Sequence, residues 1–220
     1  MARPIFDEEL HALRKDVIEM GTLVEDALSG SLEAVRKGNE TRAYLIAQND
    51  SIVDDQERAI ERLCLRLLLR EQPVAADLRA VTAALKMVTD LERIGDQAVE
   101  ICEIALGLGG KADFALFPSL IALAERASSQ VSEAIASYVG LDLEQARACA
   151  AKDEQVDALF EETKREIMRH IIEHEPDETL ALDLFMIAKY LERVGDHAVN
   201  IAEWVEYAVT GVYKGMNMGE

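Results

Sequence analysis

Apolar residues recur along this chain at alternating steps of three and four, the spacing of one stripe on an α-helix. The first series is Leu10, Leu13, Val17, Met20, Val24, Ala27, Ser31 and Ala34, and it breaks at Gly38-Asn39. A second helix is predicted from about Thr41 to Arg70, carrying Leu45, Ile52, Ile60, Leu63 and Leu67. Glu71-Gln72-Pro73 ends it, because proline blocks the continuing turn and suits the first turn of the next helix. The third helix carries Ala84, Met87, Leu91, Ile94, Ala98, Ile101 and Ala105 and stops near Gly107. Residues 107–118, with three glycines and one proline, read as the best linker in the chain. Beyond it the plan repeats. Leu120, Ala124, Ala127, Val131, Ala134 and Tyr138 mark a fourth helix broken at Gly140, and Leu143 to Ile172 a fifth that Glu175-Pro176 punctuates. The sixth is the most regular, with Leu180, Leu184, Ile187, Leu191, Val194, Ala198, Ile201, Val205 and Ala208. The tail from Gly211 is expected to fray.

The repetition is literal near the end of each half. Residues 91–101 read LERIGDQAVEI and residues 191–201 read LERVGDHAVNI, identical at eight of eleven positions with an offset of 100. Such self-similarity marks an internal duplication. Three long helices per half, joined by short loops, hide their apolar stripes only by packing together. The predicted fold class is therefore all-α: two tandem, internally duplicated three-helix bundles, six long antiparallel helices in all, crossing near about +20°. The predicted units are residues 1–109 and 115–220.

Composition narrows the function. Half the residues are apolar, aromatics are 5% and prolines number four, which suits helices better than sheets. The net charge of −19 repels nucleic acid and anionic lipid, whose phosphates need Lys and Arg. It favours cations or a basic protein face. Cys64, Cys102 and Cys149 are widely spaced and odd in number, so they read as reduced core thiols of a cytoplasmic protein. MARPIFDEEL has no apolar run of signal-peptide length, and no stretch is apolar enough to span a bilayer. Membrane association is expected only through a partner.

Candidate chemistry lies in paired carboxylates. Glu92 and Asp96, and Glu192 and Asp196, stand four residues apart beside the apolar stripe, so each pair shares one helix face. Each preceding helix offers a second pair, Asp50 with Asp54 and Asp153 with Asp157. Asp50 precedes the turn at 72–73 by about as many residues as Glu92 follows it, and the same count holds around 175–176. Antiparallel packing then brings four carboxylates to one height in each half. Oxygen donors of this kind suit hard cations such as Mg²⁺, Ca²⁺, Mn²⁺ or iron. Glu100, His197, Asn200 and Glu203 are further candidate ligands or supporting groups. Gly95 and Gly195 add weight, since glycine within a helix costs ~0.8–1.0 kcal/mol against alanine. Something must approach the backbone there, a neighbouring helix or an ion cluster.

The alternative is a solvated acidic face. Arg93, Arg193 and Lys189 stand three residues before Asp96, Asp196 and Glu192, and such ion pairs stabilise a helix by roughly 0.2–0.5 kcal/mol each. Other chemistries lack their residues. A di-iron bundle of the ferritin type needs two internal Glu-x-x-His motifs, whereas Glu8 to His11 is the only such spacing. His170 and His174, one turn apart near a helix end, read as dipole partners. No phosphate-binding glycine loop or Ser/His/Asp pattern is found.

FDEELHALRKDVIEMG, QPVAADLRAVTAALKMVTDLERIGD and LERVGDHAVNIAEWVEYAVTG together resemble the PhoU family over essentially the whole chain. The resemblance implies two similar three-helix bundles and acidic metal motifs that map onto Asp50, Asp54, Glu92, Asp96, Asp153, Asp157, Glu192 and Asp196. Divalent or trivalent ions, held as multinuclear clusters of iron, Mn, Mg or Zn, are the implied cofactors. One position departs between the copies, Glu100 against the family-like Asn200. The implied role is regulatory rather than enzymatic: damping phosphate uptake and the phosphate-starvation response as a cytoplasmic adaptor. Its implied partners are the ATPase subunit of the phosphate ABC transporter, the phosphate-sensing histidine kinase and a second copy in a homodimer. The rival class is a carboxylate-rich metal-storage or di-iron-type helical protein.

Overall fold

The helices follow the apolar stripes. The computed structural model describes residues 4–37, 39–48, 50–108, 113–173 and 178–217. These comprise α1 (Pro4–Lys37), α2 (Glu40–Gln48), α3 (Asp50–Glu71), α4 (Ala75–Leu108), a single 3-10 turn (Phe114–Leu116), α5 (Pro118–Gly140), α6 (Leu143–Ala150), α7 (Asp153–Glu173), α8 (Glu178–Thr210) and a hairpin of β1 (Val212–Tyr213) and β2 (Met216–Asn217). No helix among the described residues is long and apolar enough to cross a membrane.

The six-helix plan holds, but each middle helix is interrupted. The predicted second helix is α2 and α3, and the predicted fifth is α6 and α7. At the second break Ala151 N–H still donates to Arg147 O, but Lys152 N–H donates to Cys149 O and closes a tighter turn. Asp153 and Glu154 then occupy the first turn of α7, where carboxylates meet the positive end of the helix dipole. Asp50 is the first residue of α3. The polar triplets NDS and KDE, each with an aspartate at its centre, mark these new N-termini in the sequence. The other ends follow familiar chemistry. Asn39 Oδ1 accepts from Arg42 N–H at α2, and Asp142 Oδ1 accepts from Gln145 N–H at α6. Pro118 opens α5, which ends with Leu141 in the left-handed region at φ 49°.

The long helices α4 and α8 form the central seam between the halves. Arg79, Thr82, Asp90 and Glu100 of α4 meet Ala208, Tyr207, His197 and Tyr190 of α8, in reversed order, so the two helices run antiparallel. Position 90 meets 200 while 190 meets 100, and the duplicated motifs are thereby related by a pseudo-two-fold axis. The halves share a core rather than holding two separate ones. Met87, Leu91, Ile94 and Ala98 of α4 lie in one buried cluster with Val194, Ala198, Ile201 and Val205 of α8, Val17, Met20 and Val24 of α1, and Val131 and Ala134 of α5. A second cluster joins α5, α7 and α8 through Leu120, Leu123, Val156, Ile187 and Leu191.

The tail differs from expectation. Val212 pairs with Asn217 and Tyr213 with Met216 in an antiparallel hairpin. Its turn, Lys214-Gly215, has both residues at positive φ, 48° and 76°, the primed geometry whose twist suits a two-residue hairpin. The Tyr213 ring stacks on Trp204 with centroids 3.9 Å apart, and this contact docks the segment on α8.

Candidate metal centre

Two glycines set the spacing of the candidate centre. A methyl group placed on Gly95 would come 3.3 Å from Val53 Cγ1, and one on Gly195 would come 2.9 Å from Val156 Cγ1. The neighbour foreseen at these positions is thus the preceding helix of each half. Each valine stands one residue before an aspartate, Asp54 or Asp157. Bringing the valine against the glycine carries that aspartate to the Glu-x-x-x-Asp pair on the facing helix.

In the first half Asp54, Glu92 and Asp96 converge. One carboxylate oxygen from each lies within 4.8 Å of the others, and all three side chains are half-buried. Burial pushes the Glu92 carboxyl up to about 7, with Asp96, Glu57 and Asp54 adding repulsion and Arg93 partly opposing it. Glu57, one turn beyond Asp54, also titrates above its ordinary range, chiefly through burial and the nearby Glu61, while a hydrogen bond from Thr89 works against the shift. Arg58 spans the outer edge, 3.0 Å from Asp54 Oδ2 and 3.2 Å from Asp55 Oδ1. The donor set is all oxygen, and its self-repulsion is what a hard cation would relieve, so these residues fit a divalent ion. Asp50 opens α3, and its side chain lies outside the described residues.

The second half is built differently. Asp153 titrates high, through burial first and then the charges of Asp157, Asp196, Glu192 and Glu203. Asp196 is raised by burial and by Glu192, with Lys189 opposing. The four predicted carboxylates therefore lie within electrostatic reach of one another, and Asp153 Oδ1 is buried without a hydrogen-bond partner. Yet Glu192 is held by Lys189, whose Nζ is 2.5 Å from Glu192 Oε2. Among the described residues, convergence of three such ligand oxygens occurs in the first half alone.

The further candidates occupy the seam and the tail. His197 Nδ1 lies 2.8 Å from Asp90 Oδ1, and Asn200 Nδ2 donates to the same oxygen at 3.1 Å. Glu100 Oε2 accepts from the Tyr190 hydroxyl at 3.3 Å. Glu203 Oε2 is 3.2 Å from Lys214 Nζ on the hairpin, and Lys214 also donates to Asn200 Oδ1 at 3.4 Å. Sequence reasoning passed over Asp90, which is buried. Its signal was available, as a lone carboxylate on the stripe of Ala83, Met87, Ile94 and Ile101. Glu57 was also missed, although it follows Asp54 by one turn. Glu8 and His11 are both exposed on α1, away from any core. The His170 ring meets Phe117 edge-on at 5.0 Å, and His174 lies outside the described residues.

Comparison with known proteins agrees with this architecture. The family model for the PhoU domain matches residues 17–105 and, again, residues 120–205. The chain belongs to the PhoU family. It is 31% identical over 218 residues to the phosphate-specific transport system accessory protein PhoU homolog of Clostridium acetobutylicum, covering 99% of this chain and 100% of that one. Its fold superposes on the crystal structure of PhoU from Pseudomonas aeruginosa with a TM-score of 0.90 at 31% identity, covering 94% of this chain and 100% of that chain. The phosphate transport system regulatory protein PhoU of Streptococcus pneumoniae matches with a TM-score of 0.87 at 28% identity, over 96% and 100% of the two chains. Within this PhoU fold, the duplicated Glu-x-x-x-Asp motifs fall in the second of the two matched segments as in the first.

Proposed function

We propose that this PhoU-family chain is a non-enzymatic accessory regulator of phosphate transport, restraining uptake and the phosphate-starvation response when phosphate is plentiful. The observation that carries this is the match of both halves to the PhoU domain, together with full-length relatives described as phosphate-specific transport system accessory proteins. Its proposed partners are the ATPase subunit of the phosphate transporter and the phosphate-sensing histidine kinase, with the chain acting as a cytoplasmic homodimer. The three buried, free cysteines support a reducing compartment.

Asp54, Glu92 and Asp96 are the residues proposed to hold a divalent ion. The bound ion would neutralise the cluster and fix α3 against α4. Glu92 and Asp96 sit one turn apart on a rigid helix, Val53 against Gly95 sets the distance to Asp54, and Arg58 screens the outer edge.

Deleting the gene and measuring phosphate uptake and phosphatase expression in high phosphate tests the regulatory role. Both should rise, and the full chain should restore repression. Unchanged uptake and expression on deletion would sink it. Glu92→Ala with Asp96→Ala separates the ion from the docking: loss of bound Mn²⁺ with undiminished binding to both partners would remove the ion from the regulatory role.

A further inference from the structure

The duplicated acidic clusters have diverged at two equivalent positions that face each other across the helix pair. Three residues after the shared aspartate, the first half has Glu57 and the second has Phe160. Three residues before the shared glutamate, the first half has Thr89 and the second has Lys189. In the first half Thr89 lies beside Glu57, whose charge acts on Glu92, so a further acid stands within electrostatic reach of the cluster. In the second half Phe160 is buried, and its ring lies 5.4 Å from Lys189 Nζ, which also reaches Glu192 at 2.5 Å. The facing pair changes from one negative charge to one positive charge.

We propose, resting on the ion binding inferred above for the first half, that Lys189 is the built-in counter-ion of the second cluster and keeps divalent ions out of it. Three features of the site support this. The ammonium occupies a Glu192 oxygen that an ion would need. The Phe160 ring, 5.4 Å from that ammonium and 4.8 Å from Lys164 Nζ, attracts both cations to this side of the cluster. The side chain of Lys214 adds a second cation, 3.2 Å from Glu203, whose charge acts on Asp153. At the position of Lys189 the first cluster has the uncharged Thr89, and its own cation, Arg58, pairs with Asp54 from the outer edge and leaves Glu92 and Asp96 to an ion. The two copies of one motif thus have different occupants, an exchangeable ion in the first half and a tethered lysine in the second.

Mn²⁺ binding to the metal-stripped full chain, followed by calorimetry and by the electron paramagnetic resonance of free Mn²⁺, tests this. Tight binding should disappear in Glu92→Ala/Asp96→Ala. Adding Lys189→Thr to that double variant should restore it with at least a tenfold gain in affinity, and Lys189→Arg should not. A Phe160→Glu change alongside Lys189→Thr, which rebuilds the first-half pair, should increase the gain. Circular dichroism confirms that each variant is folded. Retention of tight binding within threefold in Glu92→Ala/Asp96→Ala would overturn the lysine lock, as would folded Lys189→Thr variants that gain nothing. If the full chain binds no Mn²⁺, ion binding in the first half fails separately. A gain on Lys189→Thr would then still support the lock.

Discussion

His197 Nδ1 lies 2.8 Å from Asp90 Oδ1, joining residues 107 positions apart across the seam between the two halves. Asn200 reaches the same oxygen from the next turn of α8. The pseudo-two-fold mate of the Asn200–Asp90 contact is the hydrogen bond from Tyr190 to Glu100. Polar pairs thus flank the apolar seam on both sides of its centre, and they align α4 and α8 while the apolar residues between them provide cohesion.

Asp90→Ala strands His197 and Asn200 at a largely buried interface. The expected loss of stability is about 1–3 kcal/mol, the usual cost of unmet polar groups in such surroundings. Asp90→Asn, which keeps one acceptor, should lose less. Urea unfolding of both variants checks this, and equal stability of Asp90→Ala and the unaltered chain would show that the contact does not hold the seam.

Gly195→Ala places a methyl group 2.9 Å from Val156 Cγ1, nearer than side chains tolerate, whereas Gly95→Ala leaves 3.3 Å to Val53. Overpacking of this kind costs about 1–3 kcal/mol, against the gain of ~0.8–1.0 kcal/mol from replacing a helical glycine. Gly195→Ala should therefore be destabilising and Gly95→Ala close to neutral. Trimming the neighbour with Val156→Ala should recover part of the Gly195→Ala loss. Thermal melts of the three variants distinguish the cases, and a stabilising Gly195→Ala would contradict the close approach.

Glu92 has its carboxyl pushed up to about 7, above its ordinary 4.5. Between those values the folded chain holds a proton that the unfolded chain releases, so Glu92 makes stability fall as pH rises through this window and adds no further change above about 7. In chelator, denaturant midpoints measured from pH 4.5 to 8 should decline, and Glu92→Gln should flatten part of that decline. Saturating Mn²⁺ should raise stability most at the upper end, where Glu92 is ionised. An identical slope for Glu92→Gln and the unaltered chain would remove Glu92 as the cause.

Burial pushes the thiols of Cys64 and Cys102 up to about 12 and that of Cys149 to about 11. Since the thiolate is the reactive form, a colorimetric disulfide reagent at pH 8 should react with the folded chain at least ~100-fold more slowly than with the denatured one. Rapid reaction of even one thiol under native conditions would place it nearer the surface than the fold does.

Much of this was legible in the residues. The three-four stripes, the pair LERIGDQAVEI and LERVGDHAVNI, and the turns at Pro73 and Pro118 point to a duplicated helical bundle. The i,i+4 geometry places Glu92 beside Asp96 with no knowledge of the fold. The breaks before Asp50 and Asp153 were harder to see, because the apolar stripe runs on through both and only the clustered acids announce a new N-terminus. The tail hairpin was missed because its order comes from Tyr213 stacking on Trp204, a contact with a preceding helix rather than a feature of residues 211–217.

The sequence by itself determined which residues share a helix face and that the unit occurs twice, because helical periodicity is a local property that three or four residues suffice to express. Counting from the turn at 72–73 already set Asp54 level with Glu92 and Asp96, and helical spacing already offered Lys189 to Glu192. Only the tertiary structure decided that, among the described residues, three carboxylates converge within 4.8 Å in the first half alone, that Phe160 lies beside Lys189, and that Asp90 meets His197. Each of those outcomes depends on the distance and register between two packed helices. That register is set by close contacts such as Val53 on Gly95 and Val156 on Gly195, and no spacing along one helix encodes it.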